Sequence, residues 1–198
     1  MRTFVAIEIA QDVASKLNNV QYGLQKAFGG RAVDWVGADG IHITLKFLGE
    51  ISAQKASRLS QEFGRVAQSS EPFTLAASGL GCFPHCRRPR LLWVGVEGDL
   101  SALERLQNAT ERSALRLGFA PDRRCFSAHL TIGRVRSSLR GSEVQALGEA
   151  VRAAKRQRFA EWQVAEMVLM QSSLMRGRAQ YAAWARIPFQ HGENIAIG

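Results

Sequence analysis

Two short stretches of the chain carry the same pair of chemical groups. His42-Ile43-Thr44 opens the run IHITLKFLGE, and His129-Leu130-Thr131 opens AHLTIGRVR. Each joins an imidazole to a hydroxyl two residues later. In an extended strand, residues i and i+2 point to one face, so each motif aims a proton-transfer group and a neutral hydrogen-bond donor at the same place. Imidazole titrates near neutral pH, so of two such rings one can take a proton while the other gives one up. Hydroxyls beside them can hold a group on which negative charge collects. One such tripeptide is an ordinary piece of hydrophobic strand. Two of them, using two of the chain's four histidines, predict one site built by two similar halves.

Strands must carry both motifs, and the surrounding pattern supplies them. Residues 3–9 read as a strand with Phe4, Ala6 and Glu8 on one face and Val5, Ile7 and Ile9 on the other. Asp12 is placed to cap a helix with the apolar stripe Val13, Leu17, Val20, Leu24 and Phe28, closed by Gly29-Gly30. A short strand over 32–36 holds Trp35, and Ala38-Asp39-Gly40 turns into the first motif strand. Ser52 caps a second helix with Leu59, Phe63 and Val66 inward. Strands over 73–78 and 91–97 flank the loop GLGCFPHCRRPR.

The second half repeats this rhythm. Asp99 caps a helix with Leu100, Leu103, Leu106, Thr110, Ala114 and Leu117 inward, and Gly118 ends it. FAPDRRCFSA leads into the second motif strand. A helix over 142–154 follows, with Val144, Leu147, Val151 and Ala154 inward. Strands over 162–172 and 179–189, joined by the basic turn Met175-Arg176-Gly177-Arg178, precede a frayed tail at 190–198. No low-complexity linker divides the chain. The expected fold class is α+β, with two pseudo-symmetric lobes interleaved in a single domain over 1–198. Each lobe is an antiparallel sheet with outer helices, and one HxT motif per lobe faces a central cleft.

Composition narrows the partner. The 198 residues carry a net charge of +9 and a pI near 10.3, which suits a polyanion, nucleic acid being the commonest. Cys82, Cys86 and Cys125 make no disulfide framework, and an odd count fits a reducing cytoplasm. MRTFVAIEIA is too short and too charged for a signal peptide. No run approaches the roughly 20 apolar residues of a membrane span. A cytoplasmic monomer without membrane contact is expected. Cys82, His85 and Cys86 are metal-ligand types, but their spacing matches no standard zinc pattern and no second Cys or His pair follows. That segment is read as a surface loop, and neither metal nor cofactor is expected.

The flanks of the motifs carry a resemblance. MRTFVAIEI, DWVGADGIHITLKFLGEI, LGCFPHCRRPRLLWVGV, FSAHLTIGRVR and VLMQSSLMRGRAQYAAWARIPF together resemble the RNA 2′,3′-cyclic phosphodiesterase family. Its members are also called 2′-5′ RNA ligases and belong to the two-histidine phosphoesterase superfamily. The likeness runs from Met1 to about Phe189. Ala128 stands where that family often has Pro, Gly133 where Ala is common, and the cysteine-flanked loop is unexpected.

The resemblance implies hydrolysis of RNA 2′,3′-cyclic phosphate ends to 2′-phosphates without a metal, by His42, Thr44, His129 and Thr131. One assignment makes His42 the proton donor to the departing O3′ and His129 the proton acceptor from water. Symmetry leaves the swap open. Other readings are 2′-5′ RNA ligation, cleavage of 2′-5′ linkages or cyclic nucleotides, and, from another class, an RNA-binding module whose histidines only contact phosphate.

Alternation sorts the candidate substrate-binding residues. Lys46 has the parity of His42 and Thr44, so it either reaches the phosphate or ends the strand in solvent. Arg134 has the wrong parity, so either a bulge re-aims it or it binds from the strand end. Phe4 and Phe126 line the cleft or stack a base, or pack in the core, and Tyr181 in the last strand faces the cleft or packs. Trp35 and Trp93 read as core. Arg87, Arg88, Arg90, Arg123, Arg124, Arg176 and Arg178 cluster in loops suited to RNA phosphates.

Overall fold

A computed structural model describes residues 1–28, 32–136, 139–175 and 178–190. The Phe28 side chain, Gly29-Gly30, the turn residues Arg176 and Gly177, the side chains of Met175 and Arg178, and residues 191–198 lie outside what is described. In chain order the elements are β1 (Arg2–Glu8), α1 (Gln11–Phe28), β2 (Val33–Trp35), a 3₁₀ turn (Ala38–Gly40), β3 (His42–Glu50), α2 (Ala53–Gln68), β4 (Phe73–Phe83), β5 (Leu91–Gly98), α3 (Leu100–Arg116), β6 (His129–Val135), α4 (Gly141–Ala153), β7 (Arg158–Val164), β8 (Glu166–Met175) and β9 (Arg178–Pro188).

Local chemistry sets most of these bounds. The Ser52 hydroxyl accepts from the Lys55 amide at 3.2 Å to start α2, and the Asp99 carboxylate accepts from the Ala102 amide at 2.8 Å to start α3. Asp12 lies inside the first turn of α1 rather than ahead of it, where its charge still complements the helix dipole. Val13, Leu17 and Leu24 are buried as their spacing requires. Leu100, at the first position of α3, is instead exposed, because the helix has not yet turned that side toward the core.

The strands form two antiparallel sheets, ordered β3-β1-β8-β9 and β2-β6-β5-β4-β7. The run expected as one strand over 162–172 is broken at Ala165. β7 ends the second sheet and β8 enters the first, so the chain changes sheets there. β4 runs on to Phe83, well past the expected end at 78. Leaving β2 aside, the two sheets match strand for strand: β3, β1, β8 and β9 correspond to β6, β5, β4 and β7. Each sheet therefore mixes strands from both halves of the chain. The helices cross over too: α2 and α3 pack on the first sheet, α1 and α4 on the second.

The cysteine expectation is overturned. Cys82 and Cys86 form a disulfide, while Cys125 is free and exposed. The extension of β4 and the turn after it bring their Cα atoms to 5.1 Å, inside the disulfide range. Among the described residues no group of three His, Cys, Asp or Glu is placed to hold a metal ion, and no helix is long and apolar enough to cross a membrane.

Candidate active site

Both motif strands break strict alternation at the same point. In the β1–β3 ladder, Ala6 pairs with Thr44 and Val5 with Lys46, so Leu45 is an extra residue. In the β5–β6 ladder, Trp93 pairs with Thr131 and Leu92 with Gly133, so Ile132 is extra. Each β-bulge lies three residues after its histidine, and each flips the parity of the strand beyond it. Leu45 and Ile132 are both buried in the core.

The flip decides four positions. Lys46 does not reach the cleft: it turns inward and is 1% exposed. There its ammonium donates to a Glu111 carboxylate oxygen at 2.8 Å and to the Ala120 carbonyl at 2.9 Å, with Asp122 at 3.2 Å. Neither expectation for Lys46, phosphate contact or solvated strand end, describes this. Its counterpart is Gly133, where a Cβ would meet Val33 Cγ1 at 2.7 Å, so any larger residue would have to displace the Val33 side chain. Beyond the bulges, Phe47 and Arg134 swing to the faces that carry the histidines. Phe47 pairs in register with Phe4, and Arg134 is exposed and near enough to His42 to oppose its protonation.

The histidine-bearing face of the first sheet is a floor of buried apolar side chains. Phe4, Ala6, Val168 and Met170 form a separate small cluster with Tyr181 against it. Phe4 is stacked on the His42 ring at 4.8 Å between centroids, and Tyr181 meets His42 edge-on at 5.2 Å. Phe4 and Tyr181 therefore stand beside the imidazole, Phe4 being at the same time buried. Phe126 is half-buried and packs against the main core. In the other lobe Phe83 meets His129 edge-on at 5.2 Å, a contact that no alternation argument suggested. Arg87, Arg88, Arg90, Arg123 and Arg124 are all exposed.

The two imidazoles differ in how they are held. His129 Nδ1 lies 2.7 Å from the Ser127 carbonyl. A carbonyl only accepts, so that nitrogen carries the proton, and the neutral ring presents a bare Nε2. His42 has the carbonyl of Gly40 in the matching place. That carbonyl favours the protonated ring, yet His42 Nδ1 is buried without a hydrogen bond of good geometry. Burial dominates: it pushes the His42 imidazole from the usual 6.5 down to about 4, with Arg134 and His129 adding repulsion. β3 and β6 lie against each other, which brings the two motif strands together, and Arg134 and His129 both act on the charge of His42. The threonines share the histidine faces and are half-buried.

Such a site offers one neutral buried imidazole, a second imidazole with a free lone pair, two hydroxyls and a guanidinium. That set binds an oxyanion and moves protons on either side of it. A family profile described as LigT-like phosphoesterase matches residues 7–93 and again 94–181, one copy per HxT motif. The chain is 35% identical over 88% of its length to an RNA 2′,3′-cyclic phosphodiesterase of Archaeoglobus fulgidus, covering 92% of that protein. It is 30% identical over 93% of its length to a protein of the same name from Escherichia coli, covering 94% of it. The crystal structure of E. coli LigT complexed with 3′-AMP superposes with a TM-score of 0.74 at 27% identity, over 96% of this chain and 98% of that one.

Proposed function

This chain belongs to the LigT-like phosphoesterase family, and from that premise we propose that it opens RNA 2′,3′-cyclic phosphate ends to 2′-phosphomonoesters. The observation that carries the reading is the matched pair of motif strands: alternation sets each His and Thr on one face, β3 and β6 lie against each other, and the bulge after Thr131 turns Arg134 to the same side. Water attacks phosphorus, the P–O3′ bond breaks, and the phosphate remains on O2′. His129 Nε2 takes the proton from water, a role supported by the Ser127 carbonyl fixing the ring's other nitrogen. His42 gives a proton to O3′. Burial keeps that ring neutral at pH 7 in the free protein, so the acid role requires the negative charge of the bound phosphodiester to favour its protonated form. Thr44, Thr131 and Arg134 hold the non-bridging oxygens. Acid and base both come from the chain, so no step requires a metal.

One chain supplies both motifs, which supports a monomer as the working unit. The charge of +9 and the exposed arginines support an RNA partner rather than a membrane. The cysteine count no longer supports a cytoplasmic location, because two of the three are paired. The substrate does, since RNA ends are produced inside cells.

An oligonucleotide ending in a 2′,3′-cyclic phosphate, incubated with protein and EDTA, should yield the 2′-phosphate. A 3′-phosphate product, or none with binding intact, overturns the reading. His42→Ala and His129→Ala should each lose about 10²–10⁴-fold in kcat. A substrate with sulfur in place of the 3′-bridging oxygen needs no acid, because a thiolate leaves unprotonated. It should rescue His42→Ala and not His129→Ala; the opposite pattern reverses the two roles.

A further inference from the structure

Lys46 is among the largest fully buried side chains of the described residues, and it carries a charge. It belongs to the strand of the first motif, two residues after Thr44, yet its partners lie on the approach to the second. The helix α3 ends at Arg116 and β6 begins at His129, and from Phe119 to Ala128 the chain is neither helix nor strand. This segment leads from a helix packed on the first sheet to a strand of the second. The Lys46 ammonium holds its first part, donating to the Ala120 carbonyl at 2.9 Å and lying 3.2 Å from an Asp122 carboxylate oxygen. Glu111 on α3 clamps the same place, because its Oε1 accepts from Lys46 Nζ at 2.8 Å and from the Asp122 amide at 3.0 Å. Five residues after Asp122 stands Ser127, whose carbonyl takes the Nδ1 proton of His129 in a hydrogen bond.

We infer that Lys46 is a positioning residue for His129: from the first motif strand it pins the segment that supplies the Ser127 carbonyl, and so fixes the tautomer and aim of the second imidazole. The inference rests on the phosphodiesterase reading above and adds to it a residue that touches no substrate. An irregular segment has no ladder of its own, so its position depends on side-chain anchors such as this one. The anchor is built from buried ions, whose charge-assisted bonds are strong and directional, and removing one partner strands the others. Phe126, packed against the core, holds the far part of the segment to the same body. The two motifs are therefore linked through one strand. β3 carries His42 and Thr44 on its cleft face and, past its bulge, the ammonium that sets His129 on its core side. Without that ammonium the Ser127 carbonyl is free to shift, and a base displaced by about 1 Å loses on the order of 10²-fold in rate.

The experiment reads the His129 ring by nitrogen-15 NMR at about pH 8, where an imidazole is neutral, and assays hydrolysis of an oligonucleotide ending in a 2′,3′-cyclic phosphate. Wild type should show the Nδ1–H tautomer. Lys46→Met, which keeps the apolar stem and removes the charge, should populate the Nε2–H tautomer at His129 and leave the His42 signals in place. It should lower kcat by roughly 10- to 100-fold with little change in KM. In a His129→Ala background the same substitution should cost no more than about twofold, because the ring through which it acts is gone. An unchanged His129 tautomer in folded Lys46→Met overturns the inference, whatever the rate does. Equal losses with and without His129 overturn it as well. Circular dichroism shows whether Lys46→Met folds. If it does not, Lys46→Met with Glu111→Gln, which leaves no unpaired charge on the helix, should give the same tautomer shift and the same loss. If wild type hydrolyses no such substrate, the phosphodiesterase reading itself fails, while the tautomer comparison still decides what Lys46 positions.

Discussion

His42 concentrates the chemistry of the site in one buried ring. Phe4 stacks on one side of it, Tyr181 closes an edge, and Arg134 stands across the cleft. Removing water from the ring disfavours its charged form, so its pKa falls from 6.5 to about 4. The unfolded chain therefore binds a proton that the native ring refuses, and stability rises with pH between these values. It is complete above about pH 6.5 and is lost as pH falls toward about 4, a change on the order of 3 kcal/mol. Urea titrations of wild type and His42→Gln between pH 7 and pH 4 should diverge by that amount, wild type losing more. Inorganic phosphate, a stand-in for the phosphoryl group, should reduce the loss by favouring the protonated ring. Identical pH slopes in the two proteins would show that burial does not hold the ring neutral.

At the scale of elements, the two bulges do the positioning, and helices hold them. A bulged residue leaves the regular ladder, so its carbonyl needs another partner. Gln21, buried on α1, donates from Nε2 to the carbonyl of Ile132 at 2.8 Å and to that of Val36 at 2.7 Å. Gln107, buried on α3, donates to the carbonyl of Leu45 at 3.5 Å. Each bulge thus has a glutamine from the helix that follows the partner strand in the opposite sheet. Gln21→Leu removes both of these bonds, leaving the Ile132 carbonyl only the Val36 amide at 3.1 Å, and should cost about 1–3 kcal/mol in denaturant unfolding. Faster hydrogen exchange at Gly133 and Arg134 should accompany it, and unchanged exchange there would separate Gln21 from the bulge. These bulges also mark the limit of what the sequence discloses. Strand alternation correctly put His42 with Thr44 and His129 with Thr131, and the helix stripes put Leu17, Leu59 and Leu103 inside. Alternation fails after Leu45 and Ile132, so it sends Lys46 to the wrong side and leaves Phe47 unnoticed. The one sign was Arg134, a charge where alternation requires a core residue. At the same offset in the first copy that sign pointed to Phe47.

At the scale of the whole molecule, the repeat in the sequence and the unit of folding differ. The family profile divides the chain between residues 93 and 94, in the middle of β5. The sheets ignore that division. The first joins β1 and β3 to β8 and β9, and the second joins β4 from the first half to β5, β6 and β7. Periodicity identifies strands one by one but carries no information on which distant strand each will pair with, so this exchange was readable only as a weak two-fold rhythm. Its physical consequence is strong. A fragment of residues 1–98 would hold β1 and β3 as a pair with the inner edge of β1 bare, and a fragment of residues 99–198 would hold β6 without β5. A two-stranded sheet with an open edge is marginal in water, and neither α1 nor α3 would find the sheet it packs on. Each fragment alone should therefore lack a cooperative thermal transition, and mixing the two should restore both the transition and phosphodiesterase activity. A cooperative melt in either isolated fragment would mean that the lobes fold independently. In that case the two HxT motifs would be brought together by docking rather than by shared sheets.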